Sequence, residues 1–109
     1  MKLKARVLVV EDTYLEPSSK LRVVVGEVIN ETISADGCFA LSDPDRDEPK
    51  MISLQEIKKD GKRRLMARVG EMVHLTIVGG PTDIKKGMVI SKRKWGILDV
   101  IALILRHLP

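Results

Sequence analysis

Val69–Lys92 reads VGEMVHLTIVGGPTDIKKGMVISK, and this stretch decides the fold. From Met72 to Val78 the chain alternates. Val73, Leu75 and Ile77 fall on one side, with Met72, His74, Thr76 and Val78 on the other. A period of two is that of a strand with one face in a core. Gly79-Gly80-Pro81 ends the run, because proline cannot donate to a ladder and glycine tolerates a sharp turn. Asp83-Ile84-Lys85-Lys86-Gly87 is a tight connector in which Gly87 is free to take positive φ. Ile84, a bulky aliphatic among polar residues, is expected to plug one end of a barrel or sandwich. Met88-Val89-Ile90 opens the next short strand.

The stretch resembles the second domain of the translational GTPases: elongation factor Tu, the initiation factor two group and the selenocysteine-specific factor. That family carries G-[DE]-x-V-x-[VL]-x-[LI]-x-G, a short acidic-led connector, then I-x-[RK]-G-x-V-[IL]. Gly70-Glu71-Met72-Val73-His74-Leu75-Thr76-Ile77-Val78-Gly79 and Asp83-Ile84-Lys85-Lys86-Gly87-Met88-Val89-Ile90 match it. Val23-Val24-Val25-Gly26-Glu27-Val28 fits the family's G-T-V-V-x-G-R-V strand. It departs in lacking the opening glycine and in placing Glu27 where a basic residue stands. Ser53-Leu54-Gln55 resembles the S-[IL]-[QE] of a further strand. The resemblance implies an all-β, closed six- to seven-stranded translation-protein-type β-barrel over residues 1–94. In elongation factor Tu, residues on the strand and turn that correspond to Met51–Ile57 and Lys58–Arg64 border the pocket for the acceptor end of aminoacyl-tRNA, and the register comparison is made around Gln55–Lys59. The register slips there by at least one position, so no residue role carries over.

Going outward, Lys2–Val10 reads as a first strand with Leu3, Ala5, Val7 and Val9 on one face, and Glu11–Ser19 as a loop. Lys20–Ile29 is the second strand, with Gly26 at a bend. Asn30–Gly37 is a connector containing Ile33, and Cys38–Leu41 a short strand. Ser42–Lys50 is a polar hairpin loop. Its Asp43, Asp45 and Asp47 lack the glycine and glutamate that a calcium loop needs at its sixth and twelfth positions. Met51–Ile57 is a strand with Ile52, Leu54 and Ile57 inward. Asp60-Gly61 is a two-residue hairpin turn, after which Leu65 and Met66 are expected to return to the core.

The tail, Trp95–Pro109, is expected to be an apolar helix packed on the barrel or at an interface. Trp95, Ile97, Leu98, Ile101, Leu105 and Leu108 are its candidate interface residues, most of them forming one helical stripe. A strand over Val100–Leu105 remains open, since β-branched residues are frequent there. Fifteen residues are too few to span a bilayer, and no run of 18 apolar residues occurs. No membrane role is expected.

Charge sets the functional reading. Residues 1–57 hold 7 basic and 11 acidic side chains, whereas 58–94 hold 11 basic and 3 acidic. An anionic partner is implied, with RNA or the ribosome first. The candidate surface is Lys58, Lys59, Lys62, Arg63 and Arg64 with Lys85, Lys86, Lys92, Arg93 and Lys94. The competing reading is a merely solvated charged surface. A further alternative is a protein–protein adapter or homo-oligomer using the apolar tail. With only Tyr14, Phe39 and Trp95 aromatic, a base-stacking platform is not expected.

There is no G-x-x-x-x-G-K-[ST] phosphate loop, so this chain alone is no GTPase. His74 and His107 are the only imidazoles and Cys38 the only thiol. No catalytic set, metal site or cofactor is expected. The lone cysteine and an N-terminus interrupted by Lys2, Lys4 and Arg6 point to the cytoplasm.

Overall fold

A computed structural model describes residues 6–35, 38–45, 49–79 and 83–92. The expected tail helix and the two basic residues before it therefore lie outside the described residues. So does the N-terminal part of the first expected strand. Among the described residues the protein is all-β and no helix occurs.

Ten strands follow in order: β1 (Arg6–Val9), β2 (Asp12–Leu15), β3 (Arg22–Glu27), β4 (Ile33–Ser34), β5 (Cys38–Ser42), β6 (Lys50–Lys59), β7 (Lys62–Arg64), β8 (Met66–Ala67), β9 (Met72–Gly79) and β10 (Val89–Lys92). Seven pair in the order β1-β10-β5-β6-β9-β3-β2, with β7 added to the end of β6, and β4 and β8 form a separate two-stranded ribbon. Every pairing is antiparallel.

The long sheet curls into a half-barrel around its own inner face. Val73, Leu75 and Ile77 of β9 are buried, as their alternation predicts. They meet Val24 of β3 and Ile57 and Leu54 of β6 across the ladder. Phe39, Leu41 and Ile90 extend this apolar cluster to β5 and β10. Ile84, in the connector before β10, and Ile33 of β4 are buried in the same cluster. No ionisable or polar side chain among the described residues is buried with them.

Two bulges re-aim side chains. On β6, Leu54 pairs with Ile77 but Glu56 pairs with Thr76, which leaves Gln55 as an extra residue. An extra residue flips the faces beyond it. That is how Ile52, Leu54 and Ile57, not evenly spaced by two, all point inward. On β1, Arg6 pairs with Ser91 and Leu8 with Ile90, leaving Val7 extra. Val7 and Leu8 are therefore both buried while Val9 is partly exposed. This corrects the simple alternation expected from Leu3 to Val9.

Two other expectations change. Asp12–Leu15, expected as loop, is an edge strand paired to β3. Leu65, expected in the core, is 84% exposed and Met66 50%. Ala67 takes the inward place instead, because β8 is a ribbon strand whose alternate side chain points out.

The curl carries β1, one edge of the sheet, back against the end of β3. Ile29 N–H donates to the Val7 carbonyl at 2.8 Å and Glu11 N–H to the Val25 carbonyl at 2.8 Å. Leu8 and Val28 form an isolated antiparallel bridge. These are contacts at a seam rather than a continuous ladder. Gly26 makes them possible. A β-carbon there would fall on the Val9 carbonyl oxygen and stand 2.7 Å from Leu8 Cδ2. Backbone cannot yield as a flexible side chain can. Gly26→Ala should therefore cost about 2–3 kcal/mol, the upper part of the range for overpacking, measured by urea denaturation. A loss below about 0.5 kcal/mol, the size of an ordinary surface change, would show that the β1–β3 approach is not as close as described.

Candidate nucleic-acid interface

The basic hairpin is built by local geometry. Asp60 and Gly61 both have positive φ, 53° and 78°, as a two-residue turn matched to strand twist requires. The register that follows sets Lys58 opposite Arg63 and Lys59 opposite Lys62. Two like-charged pairs facing each other across a ladder oppose the hairpin. Two glutamates offset this. Glu56 sits on the Lys58–Arg63 side, 3.2 Å from Lys58 Nζ and 2.7 Å from Arg63 Nε. Glu71 takes Lys59 Nζ at 2.9 Å and Arg64 Nη2 at 3.5 Å.

Glu71 is the more constrained of the two. Its Oε1 accepts the Arg68 N–H at 2.7 Å. Its own backbone carbonyl accepts from Val28 N–H, and the preceding Gly70, at φ 91°, donates to the Val28 carbonyl. One residue thus fixes the turn before β9, continues the β3–β9 pairing and ties down the hairpin. The Arg68 N–H, foremost, and the Lys59 ammonium next hold its carboxyl down at about 2 against an ordinary 4.5.

The expected cations come from three parts of the described chain. Lys58, Lys59, Lys62, Arg63 and Arg64 belong to the β6–β7 hairpin. Lys92 closes β10, 3.0 Å from a Glu31 carboxylate oxygen. Lys85 and Lys86 lie in the connector before β10, where the Gly87 N–H donates to the Val10 carbonyl at 2.8 Å. Arg93 and Lys94, like Trp95, Ile97, Leu98, Ile101, Leu105 and Leu108, lie outside the described residues. Lys62 has no ion pair among the described residues. Arg68, absent from the expected set, stands at the hairpin end with its backbone tied to Glu71.

Beside the hairpin, on the outer face, is a shallow polar groove of about 250 Å³ lined in part by Glu16, Ser18, Glu56, Lys58, Arg63 and Thr76. The Ser18 hydroxyl donates to Glu16 at 2.6 Å and holds that carboxyl below its ordinary value. On the same face Tyr14 Oη and His74 Nδ1 are hydrogen-bonded at 3.0 Å, with their rings edge to face. His74 pairs with Val25 on one side and Lys58 on the other. Phe39 is in the core. Among the described residues no group of three or more metal-ligating side chains occurs, and no helix is long and apolar enough to cross a membrane.

No protein-family model matches the chain, and no curated protein matches it either.

Because the Glu71 carboxyl is held at about 2, its contribution to stability is complete above pH 4.5 and is lost as the pH falls from 4.5 through about 2. Glu71→Gln keeps the acceptor for Arg68 N–H but removes the charge. It should lower the melting temperature at neutral pH, and the gap to wild type should narrow across that acid window. A gap that stays constant with pH would mean that the carboxylate charge is not what holds the turn.

Proposed function

We propose that the chain is a non-enzymatic binding module that takes RNA, free or in the ribosome, on its hairpin end. The observation that carries this reading is the concentration of Lys58, Lys59, Lys62, Arg63 and Arg64 on one rigid turn. Six basic residues stand between Glu56 and Glu71, and three carboxylates including those two. The ion pairs therefore leave the end cationic. Exposed ion pairs of this kind are worth little each, and a phosphate can replace a carboxylate as the partner of an arginine.

The same reading takes the half-barrel as a closed six- to seven-stranded barrel of the translation-factor second-domain type, with a C-terminal helix on it. The β1–β3 seam contacts and the Gly70–Ile90 motif support that reading. It also supposes a cytoplasmic setting and action beside other translation components. Fold likeness does not fix function, so the site has to be tested by itself.

The measurement is fluorescence anisotropy with bulk tRNA and a ribosomal RNA fragment. If roughly three to five phosphates are engaged, affinity should fall about 20- to 100-fold between ~50 and ~200 mM salt. Neutralising Lys62, Arg63 and Arg64 together to glutamine should weaken binding without unfolding the hairpin. Glutamine is preferred to glutamate here, since new carboxylates would face Glu56 and Glu71. Unchanged affinity in the triple variant removes the hairpin from the site.

One observation favours the second reading, a protein–protein adapter or homo-oligomer. Leu65, Met66 and Val69 are apolar and at least half exposed. Replacing Ile101 and Leu105 by aspartate distinguishes it. A folded monomer arising from a wild-type oligomer would assign the tail to an interface between molecules.

A further inference from the structure

We infer that the RNA taken at the hairpin is unpaired, with Leu65, Met66 and Val69 against the free faces of its bases while the adjoining cations hold its phosphates. The inference rests on the RNA reading above and narrows it to one class of RNA.

Phosphates account for only part of this surface. Lys62, Arg63 and Arg64 lead directly into Leu65, and Arg68 follows three residues later. The Arg63 side chain is 77% exposed. Leu65 is 84% exposed and Val69 55%, and Met66 and Met72 are exposed as well. Single apolar residues on a surface need no explanation, but four within eight residues mark a place where a partner docks. Their backbone is held. Ala35 N–H donates to the Leu65 carbonyl at 3.1 Å, Met66 pairs with Ser34, and Arg68 N–H donates to Glu71 at 2.7 Å. The cations around the run fit an anionic partner. A second copy docked run to run would set two cationic hairpins against each other.

The form of the RNA decides whether the apolar side chains find a partner. In an A-form duplex the bases stack on one another, the major groove is too narrow to enter, and the minor groove shows hydroxyls and base edges. In an unpaired stretch the base faces are free, and they accept apolar side chains and the plane of a guanidinium. Aromatic rings are the usual platform. Of the described ones, Phe39 is in the core and Tyr14 lies on β2 with its hydroxyl bonded to His74. This surface offers aliphatic side chains instead, with Arg63 and Arg64 just before them in the chain. Charge by itself points the other way. A duplex carries the denser row of phosphates and releases more counterions per contact, so a surface that bound by charge alone would hold the duplex more tightly. The apolar residues are the part of the site that selects.

Fluorescence anisotropy tests this with two probes, a single-stranded oligouridylate and a blunt RNA duplex with the same number of phosphates. The oligouridylate should bind more tightly. Leu65→Gln should weaken it about three- to tenfold, the size of a partial loss of apolar burial, and leave the duplex unchanged. Val69→Gln should act in the same direction. Leu15→Gln, at an exposed leucine of β2 beside Glu16, should change neither. All three replace exposed side chains, so their far-UV circular dichroism should match wild type. A duplex bound as tightly as the single strand, or a single-strand affinity that both Leu65→Gln and Val69→Gln leave unchanged, overturns the inference while the RNA reading stands. Failure to bind either RNA removes the RNA reading and this inference with it. Binding to phosphatidylserine vesicles that Leu65→Gln abolishes, with both RNA affinities unchanged, assigns the run to a lipid surface and overturns the inference equally.

Discussion

A single sheet has to cover both sides of its own core. Among the described residues the apolar inner face leaves water because the sheet curls until β1 reaches the end of β3, with Ile33 and Ala67 of the β4–β8 ribbon added to it. Everything else in the fold serves that curl. Bulges at Val7 and Gln55 bend their strands and turn Leu8 and Ile57 inward. Ile33 and Ile84 add to the same buried cluster from outside the long sheet. Gly26 is the narrowest point, where the backbone of β1 passes over β3 with no room for a side chain. An edge strand that ends in such contacts is also withdrawn from pairing with other chains, whereas β2, β7 and the β4–β8 ribbon each keep an unpaired side among the described strands.

The electrostatics of the hairpin follow from its register. A two-residue turn at Asp60-Gly61 leaves no choice about which side chains face each other, and it sets cation against cation twice. Carboxylates nearby relieve that repulsion, and Glu56 and Glu71 are where the bulge and the β9 turn put them. The ion pairs thus have a role in the hairpin before any ligand is considered. They also hold Arg63 and Lys58 in place along the outer groove, an arrangement that a flexible cationic tail could not offer.

Much of this was legible in the sequence, and the failures have physical causes. The alternation of Val73, Leu75 and Ile77, the Asp60-Gly61 turn and the inward place of Ile84 could be read because each depends on neighbours within a few residues. Ile57 was read as inward without a reason, since the Gln55 bulge is a property of pairing with β9. Asp12–Leu15 escaped because an edge strand exposed on most of its length has no apolar period to detect. Leu65 was misplaced because hydrophobicity alone does not say which neighbour turns in, and Ala67 filled the space. As for the site, the hairpin cations were found by composition, but their partners Glu56 and Glu71 were not, because only the three-dimensional register brings Glu71 to Lys59. Lys85 and Lys86 were grouped with them by charge alone.

That pairing changes how the charge of the chain should be understood. The excess of cations after Ile57 is spread, among the described residues, over the hairpin, the connector before β10 and the end of β10. At the hairpin a phosphate backbone would meet Lys62, Arg63 and Arg64 beside Glu56, Asp60 and Glu71. The local balance of charge there bears on an anionic partner more directly than the net charge of the protein does. The chain just after the hairpin presents Leu65, Met66 and Val69. A partner held there meets cations and apolar surface together, and what covers the apolar part decides how much of the cationic part is left accessible.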